Sequence, residues 1–191
     1  EWRRYRFDGE TDISVVADSS NPKIFTPGDI MDGVLPNGPT IVYDEDCYYM
    51  GGVIAEKLRT AGIDVTLCTP SELVSEWATK TSERWRIRAH LMKMGIKIKL
   101  AHALTNFDGK SATLTYQFTG KEKRGHTASV VMVTQRMPIY ELYQNVLTLA
   151  DNQTNKLPFT LTRIGDCEAP AIVSAATYAG HRYARQLEED V

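Results

Sequence analysis

Two short stretches put chemistry-bearing residues at turns of the kind that hold phosphates or sugar hydroxyls. One is "RIGDCEAPA", Arg163 to Ala171, where Gly165 and Asp166 precede Ala169 and Pro170. A Gly-Asp pair ending a strand before a helix start sets one carboxylate beside a row of helix-terminal N–H groups. The acid can accept hydrogen bonds from ribose or ribityl hydroxyls while the amides hold a pyrophosphate. The same residues also fit an ordinary strand–turn–helix in which Asp166 is the cap. The other stretch is "YDEDCYYMGG", Tyr43 to Gly52, where Asp44, Glu45 and Asp46 crowd one turn. Nothing in the chain has the pattern of a nucleophile–base pair or an acid–base dyad, so no catalytic residue is expected. His90, His102, His126 and His181 lack metal-ligand spacing. Cys47, Cys68 and Cys167 lie far apart with no CxxC pair, so no metal site is expected either.

The elements around the acidic turn are those of a nucleotide-binding unit. Thr40–Tyr43 reads as a short buried strand and Gly51–Ala61 as a helix with Val53, Ile54 and Leu58 on one side. Gly62 stands at its C-terminal cap and Val65–Cys68 forms a second strand. Short joints of this kind imply a parallel pair with a right-handed crossover. Dinucleotide folds place GxGxxG at this turn: the first glycine for tightness, the second for backbone approach to pyrophosphate, the third for helix–strand packing. Alignment on the helix and Gly62 puts Asp46, Tyr48 and Gly51 at those positions, with Gly52 beside the last. Packing is kept and phosphate access is lost. Tyr48 places a ring where a phosphate needs bare backbone, and the three carboxylates can substitute for the phosphate at the helix N-terminus. The second strand runs into "TLCTPSE", without the acid that binds ribose. A closed scaffold domain fits these residues better than an NAD(P) site.

Downstream, Thr81-Ser82-Glu83 opens a helix carrying Ile87, Leu91 and Met94 and stopped by Gly95. Its Lys80, Arg84, Arg86, Arg88 and Lys93 are spread around the helix, as on a solvated surface. Ile96–Leu100 is a strand, and "ALTNFDGKSATLTYQFTGKEKRG" is antiparallel β structure turning at Asp108-Gly109 and near Gly120. Ser129–Thr134 is a buried strand, Pro138–Ala150 a helix, Thr160–Ile164 a strand, and a long helix starts at Pro170. Residues 1–38 are broken by turn signals; "DISVVAD" can be a strand and the rest reads as a connector. The order predicts an α/β fold with a Rossmann-like, glutathione-reductase-like parallel sheet, an antiparallel excursion, and part of a second FAD/ADP-binding-like domain.

Composition narrows the classes. The chain has 191 residues, 42% hydrophobic and 24% charged, enough for one sizeable core or two small ones. A formal charge of -2 gives no electrostatic reason to expect nucleic acid or an anionic membrane as partner. No apolar run approaches the roughly 20 residues of a spanning helix, and no signal-peptide pattern opens the chain. The unpaired cysteines favour a cytoplasmic setting. Glu1 opens directly into "EWRRYRFDGETD", as a piece of a longer protein would.

The stretches "YDEDCYYMGGVIAEKLRTAGIDVTLCTP", "SVVMVTQRMP" and "RIGDCEAPAIVSAATYAGHRYAR" resemble the C-terminal third of the NADH:flavin oxidoreductase family that includes trimethylamine dehydrogenase, dimethylamine dehydrogenase and 2,4-dienoyl-CoA reductase. The resemblance runs from "WRRYRFDG" to "HRYAR". It implies a parent enzyme with an N-terminal FMN barrel, a [4Fe-4S] cluster, and two nucleotide-binding-like domains, the first holding FAD or ADP. By the same resemblance, residues 39–134 are the inserted NAD(P)-binding-like domain. Residues 1–38 and 135–191 belong to the FAD/ADP-binding-like domain and its connector, with Gly165 and Asp166 at its nucleotide-contacting motif. The candidate cofactor-binding residues are therefore Gly165, Asp166, Ala169, Tyr48, Gly51 and Gly52. The glycine replacements resemble the amine-dehydrogenase branch, where the inserted domain is not used for NADPH. The fragment is expected to be catalytically silent and to hold no cofactor tightly; its partners are the FMN barrel of its own polypeptide, ADP or FAD, and an electron-transfer protein. Two alternatives are a self-standing NAD(P)- or FAD-binding reductase domain and an interaction module for an electron-transfer partner.

Overall fold

The computed structural model describes Trp2, residues 21–152 and residues 159–189. The strand expected at "DISVVAD" lies outside them. The chain divides into two compact units, one running from Trp2 to Gln135 and the other from Arg136 onward.

The first unit is built on a five-stranded parallel sheet. Its strands are β1 (Ile24–Phe25), β2 (Thr40–Asp44), β3 (Val65–Cys68), β4 (Lys97–Lys99) and β8 (Ser129–Val133), in the order β1-β8-β2-β3-β4. β2 and β8 are buried at every position, which explains their unbroken apolar runs: a central parallel strand is covered on both faces. β5 (His102–Phe107), β6 (Ser111–Tyr116) and β7 (Glu122–His126) form a separate antiparallel sheet. Their first turn is set by Asp108, whose Oδ1 accepts from the amides of Lys110 and Ser111, with Gly109 at a left-handed φ of 83°.

Two cores follow from the strand period of two. On one face Ile41, Tyr43, Cys68, Val130 and Met132 meet Leu104, Phe107, Ala112 and Leu114 of the antiparallel sheet. On the other, Val42, Leu67, Val131 and Val133 cluster with Ile30 of α1 (Pro27–Met31), with Ile54, Ala55 and Leu58 of α2 (Met50–Thr60), and with Leu91 of α3 (Arg84–Lys93). Residues 21–38, expected as connector, supply the edge strand β1 and α1. The latter is held by a capping box in which Asp29 and Thr26 bond each other's backbone amides. α3 starts at Arg84 rather than Thr81, because Ser82 sits at a left-handed φ of 62° and keeps the chain out of the helix until after it.

In the second unit, α4 (Glu141–Asn152) and α5 (Val173–Glu189) are the main elements. Both begin three residues later than expected, since Pro138 and Pro170 precede the helices rather than open them. The strand expected at Thr160–Ile164 is not formed. Ile164 has extended backbone (φ -139°, ψ 155°), but a strand needs a hydrogen-bonded neighbour and no described residue pairs with it. Among the described residues of 136–189 whose side chains are placed, none is buried.

Candidate functional site

The acidic turn follows the last residue of β2. Alternation along that strand points Asp44, like Val42, toward the helical face, and its side chain ends fully buried against the start of α2. Asp44 Oδ1 accepts a hydrogen bond from the Cys47 amide at 3.0 Å, while Oδ2 has no partner. Burial, with smaller additions from Asp46 and Glu45, pushes the carboxyl up to about 7. A Cβ on Gly51 would stand 2.3 Å from Asp44 Cγ and 2.5 Å from Oδ2, so glycine is required there by close approach. Gly52 has ordinary contacts with Ile87 and Leu91 of α3.

The three carboxylates therefore part company. Asp44 takes an amide of the turn; Glu45 accepts from the Tyr43 hydroxyl at 3.1 Å, and both Glu45 and Asp46 anchor their own amides on the Val133 carbonyl. Tyr48 is half-buried and meets the Tyr49 ring at a tilt of 57°, and the Tyr49 hydroxyl donates to Glu83. Cys47 adopts a left-handed φ of 54°, and its carbonyl accepts from the Trp77 amide in a short 3-10 turn, Glu76–Thr79, that folds back over it. Burial raises both the Cys47 and Cys68 thiols to about 12, which makes them inert at neutral pH. At this turn the Cys47 amide is held by Asp44 rather than left free for a phosphate oxygen.

The second motif is a 3-10 turn at Gly165–Cys167, entered by Gly165 at a φ of 65°. The expected row of free amides is shorter than anticipated, because Glu168 and Ala169 both donate back to the Gly165 carbonyl. Asp166 Oδ1 accepts from the Ala171 amide at 3.4 Å, and its Oδ2 lies 3.7 Å from Arg136 Nη1. Arg136 also donates to the Ala171 carbonyl at 2.9 Å. Asp166 thus acts as a turn cap while its side chain stays 59% exposed and open to a hydroxyl ligand. Its approach by Arg136 was not foreseen; "VTQRMP" gives no spacing cue that would link it to a residue thirty positions on.

Gly165, Asp166 and Ala169 lie in one compact unit, Tyr48, Gly51 and Gly52 in the other. Among the described residues no group of His, Cys, Asp and Glu is arranged to hold a metal ion, and no helix is long and apolar enough to cross a membrane.

No protein-family model matches the chain. Dimethylamine dehydrogenase of Hyphomicrobium sp. (strain x) is 28% identical over 192 residues, covering 91% of this chain and 26% of that protein. The structure of histamine dehydrogenase from Rhizobium sp. 4-9 superposes with a TM-score of 0.87 at 34% identity, over 98% of this chain and 29% of that one. The structure of 6-hydroxypseudooxynicotine amine oxidase from Pseudomonas geniculata N1 gives a TM-score of 0.86 at 32% identity, over 95% and 27%. The chain thus spans between a quarter and a third of the length of these relatives.

Proposed function

This chain is homologous to a segment of the trimethylamine dehydrogenase-family flavoproteins, and on that premise we propose that it is the C-terminal, non-catalytic part of an amine-oxidising flavoenzyme. Residues 39–134 then serve as an inserted NAD(P)-binding-like domain kept as scaffold. Residues 135–191 contribute to an FAD/ADP-binding-like domain with sequence outside this chain, whereas residues 21–38, through β1 and α1, pack with the inserted domain. The observation that carries the reading is the hydrogen bond from the Cys47 amide to Asp44, a carboxyl of the chain itself that occupies an amide of the turn. It disfavours a self-standing NAD(P)-dependent reductase.

The oxidation itself, removal of a hydride or electron pair from an N-methylated amine, belongs to groups held outside these residues, an FMN and a [4Fe-4S] cluster. Two of the three cysteines are buried core residues, and the donor set here does not fit a cluster. What these residues offer a nucleotide is Asp166, exposed beside Gly165 and steadied by Arg136. In the whole polypeptide, Asp166→Ala is expected to weaken ADP or FAD retention by at least about tenfold, the equivalent of one charge-assisted hydrogen bond. FMN and iron contents, read by absorbance and metal analysis, should stay unchanged. Full nucleotide occupancy in the variant would reduce Asp166 to a cap and remove the nucleotide-binding part of the proposal.

A further inference from the structure

We propose that the cleft between the two sheets of the first unit is a binding site for a small organic anion, a carboxylate with a short apolar body. The register of the strands makes the case. In the parallel sheet Thr66 pairs with Ile41 and Lys99 with Cys68, so both sit on the face that carries the core residues Ile41, Tyr43 and Cys68. In the antiparallel sheet Lys123 lies opposite Leu114 and Gly125 opposite Ala112. Both β7 positions therefore share the inward face with the buried Leu114 and Ala112.

Inward positions normally complete a core with apolar side chains. Here they bring a lysine and an absent side chain, and a Cβ built on Gly125 would meet nothing within 4 Å. The result is a cleft of about 160 Å³ with Ile41, Ala112 and Leu114 among its apolar lining and Lys99, Lys123, His126 and Thr66 among its polar lining. At roughly 30 Å³ per water, that is room for about five waters or a carboxylate the size of butyrate. No Asp or Glu lines the cleft among the described residues. The hydroxyls of Thr40 and Thr127 are already engaged by Ser129 and Pro39. The side chains of Lys99, Lys123 and Thr66 have no hydrogen-bond or ion-pair partner among the described residues. Two lysines and a threonine thus border an apolar floor, residue types that can supply the donors a small carboxylate needs.

β4 and β7 are both edge strands, and an inward lysine deters edge-to-edge pairing. Edge protection accounts for the charge. It does not account for the vacated position at Gly125 or for the free Thr66 hydroxyl.

The test is a nitrogen-15 NMR titration of the full chain with butyrate, and separately with inorganic phosphate, at constant ionic strength. Butyrate is expected to shift the amides of Thr66, Ala112, Lys123 and Gly125 saturably. Lys123→Gln, on an exposed strand, should weaken the response by at least about tenfold. Gly125→Val should abolish it by filling the cleft while leaving the rest of the spectrum intact. No saturable response at tens of millimolar butyrate would overturn the proposal and leave the lysines as edge protection. So would an equal response from either variant, or phosphate binding as tightly as butyrate.

Discussion

At the scale of single residues, Asp44 explains why this turn keeps a nucleotide-fold outline without its glycines. A buried carboxyl with one amide donor and one unpartnered oxygen is costly when ionised. Its folded value near 7 stands above its ordinary 3.8, so the native state holds the proton more tightly than the unfolded chain. Asp44 therefore contributes stability in full below about pH 4, and that contribution is lost as pH rises through about 7. Asp44→Asn should remove this dependence, gaining on the wild type between about pH 5 and about pH 8 in urea melts. An unchanged pH profile in the variant would show that the carboxyl titrates normally. Gly51→Ala should cost about 1–3 kcal/mol through overpacking, despite the roughly 1 kcal/mol that alanine gains over glycine in a helix. In an Asp44→Ala background most of that cost should vanish, as a double-mutant cycle would reveal. The sequence made the lost glycines and the crowded acids legible. It did not separate the three acids, because burial depends on where each one stands relative to the end of β2 and to the start of α2.

At the scale of elements, strands and helices whose partners lie within the chain were readable from their patterns. β2, β8 and α2 follow the apolar runs and the 3.6 period, save that Val53, expected beside Ile54 and Leu58, is exposed and Ala55 takes the inner position, and the Asp108-Gly109 turn follows its side-chain chemistry. The misreadings cluster where a partner is missing or a special backbone angle intervenes. Thr160–Ile164 has strand composition but no neighbour, and Ser82 delays α3. Large apolar side chains of the second unit, Leu142, Leu149, Val173 and Tyr178 among them, are exposed. Such helices gain most of their stability from tertiary packing. Hydrogen exchange should accordingly find the amides of α4 and α5 far less protected than those of β2 and β8 in this chain. In the whole polypeptide the same helices should become protected. Equal protection of the two units in the isolated chain would mean that the second unit does not depend on sequence outside it.

At the scale of the molecule, the chain combines a fold shared with dinucleotide-binding domains and a turn whose Cys47 amide is held by its own Asp44. Its relatives are more than three times as long, and the proposed reaction belongs to what lies outside it. The family resemblance was legible in motifs spread over the whole length; the hydrogen bond from the turn to Asp44 was legible only as one possibility among three carboxylates. The most direct test of the account is a calorimetric titration of this chain with NADH and with NADPH. The account predicts no saturable binding in the micromolar range by either, with Asp44 holding the Cys47 amide. A dissociation constant at or below about 1 μM, on the order of -8 kcal/mol, would contradict it.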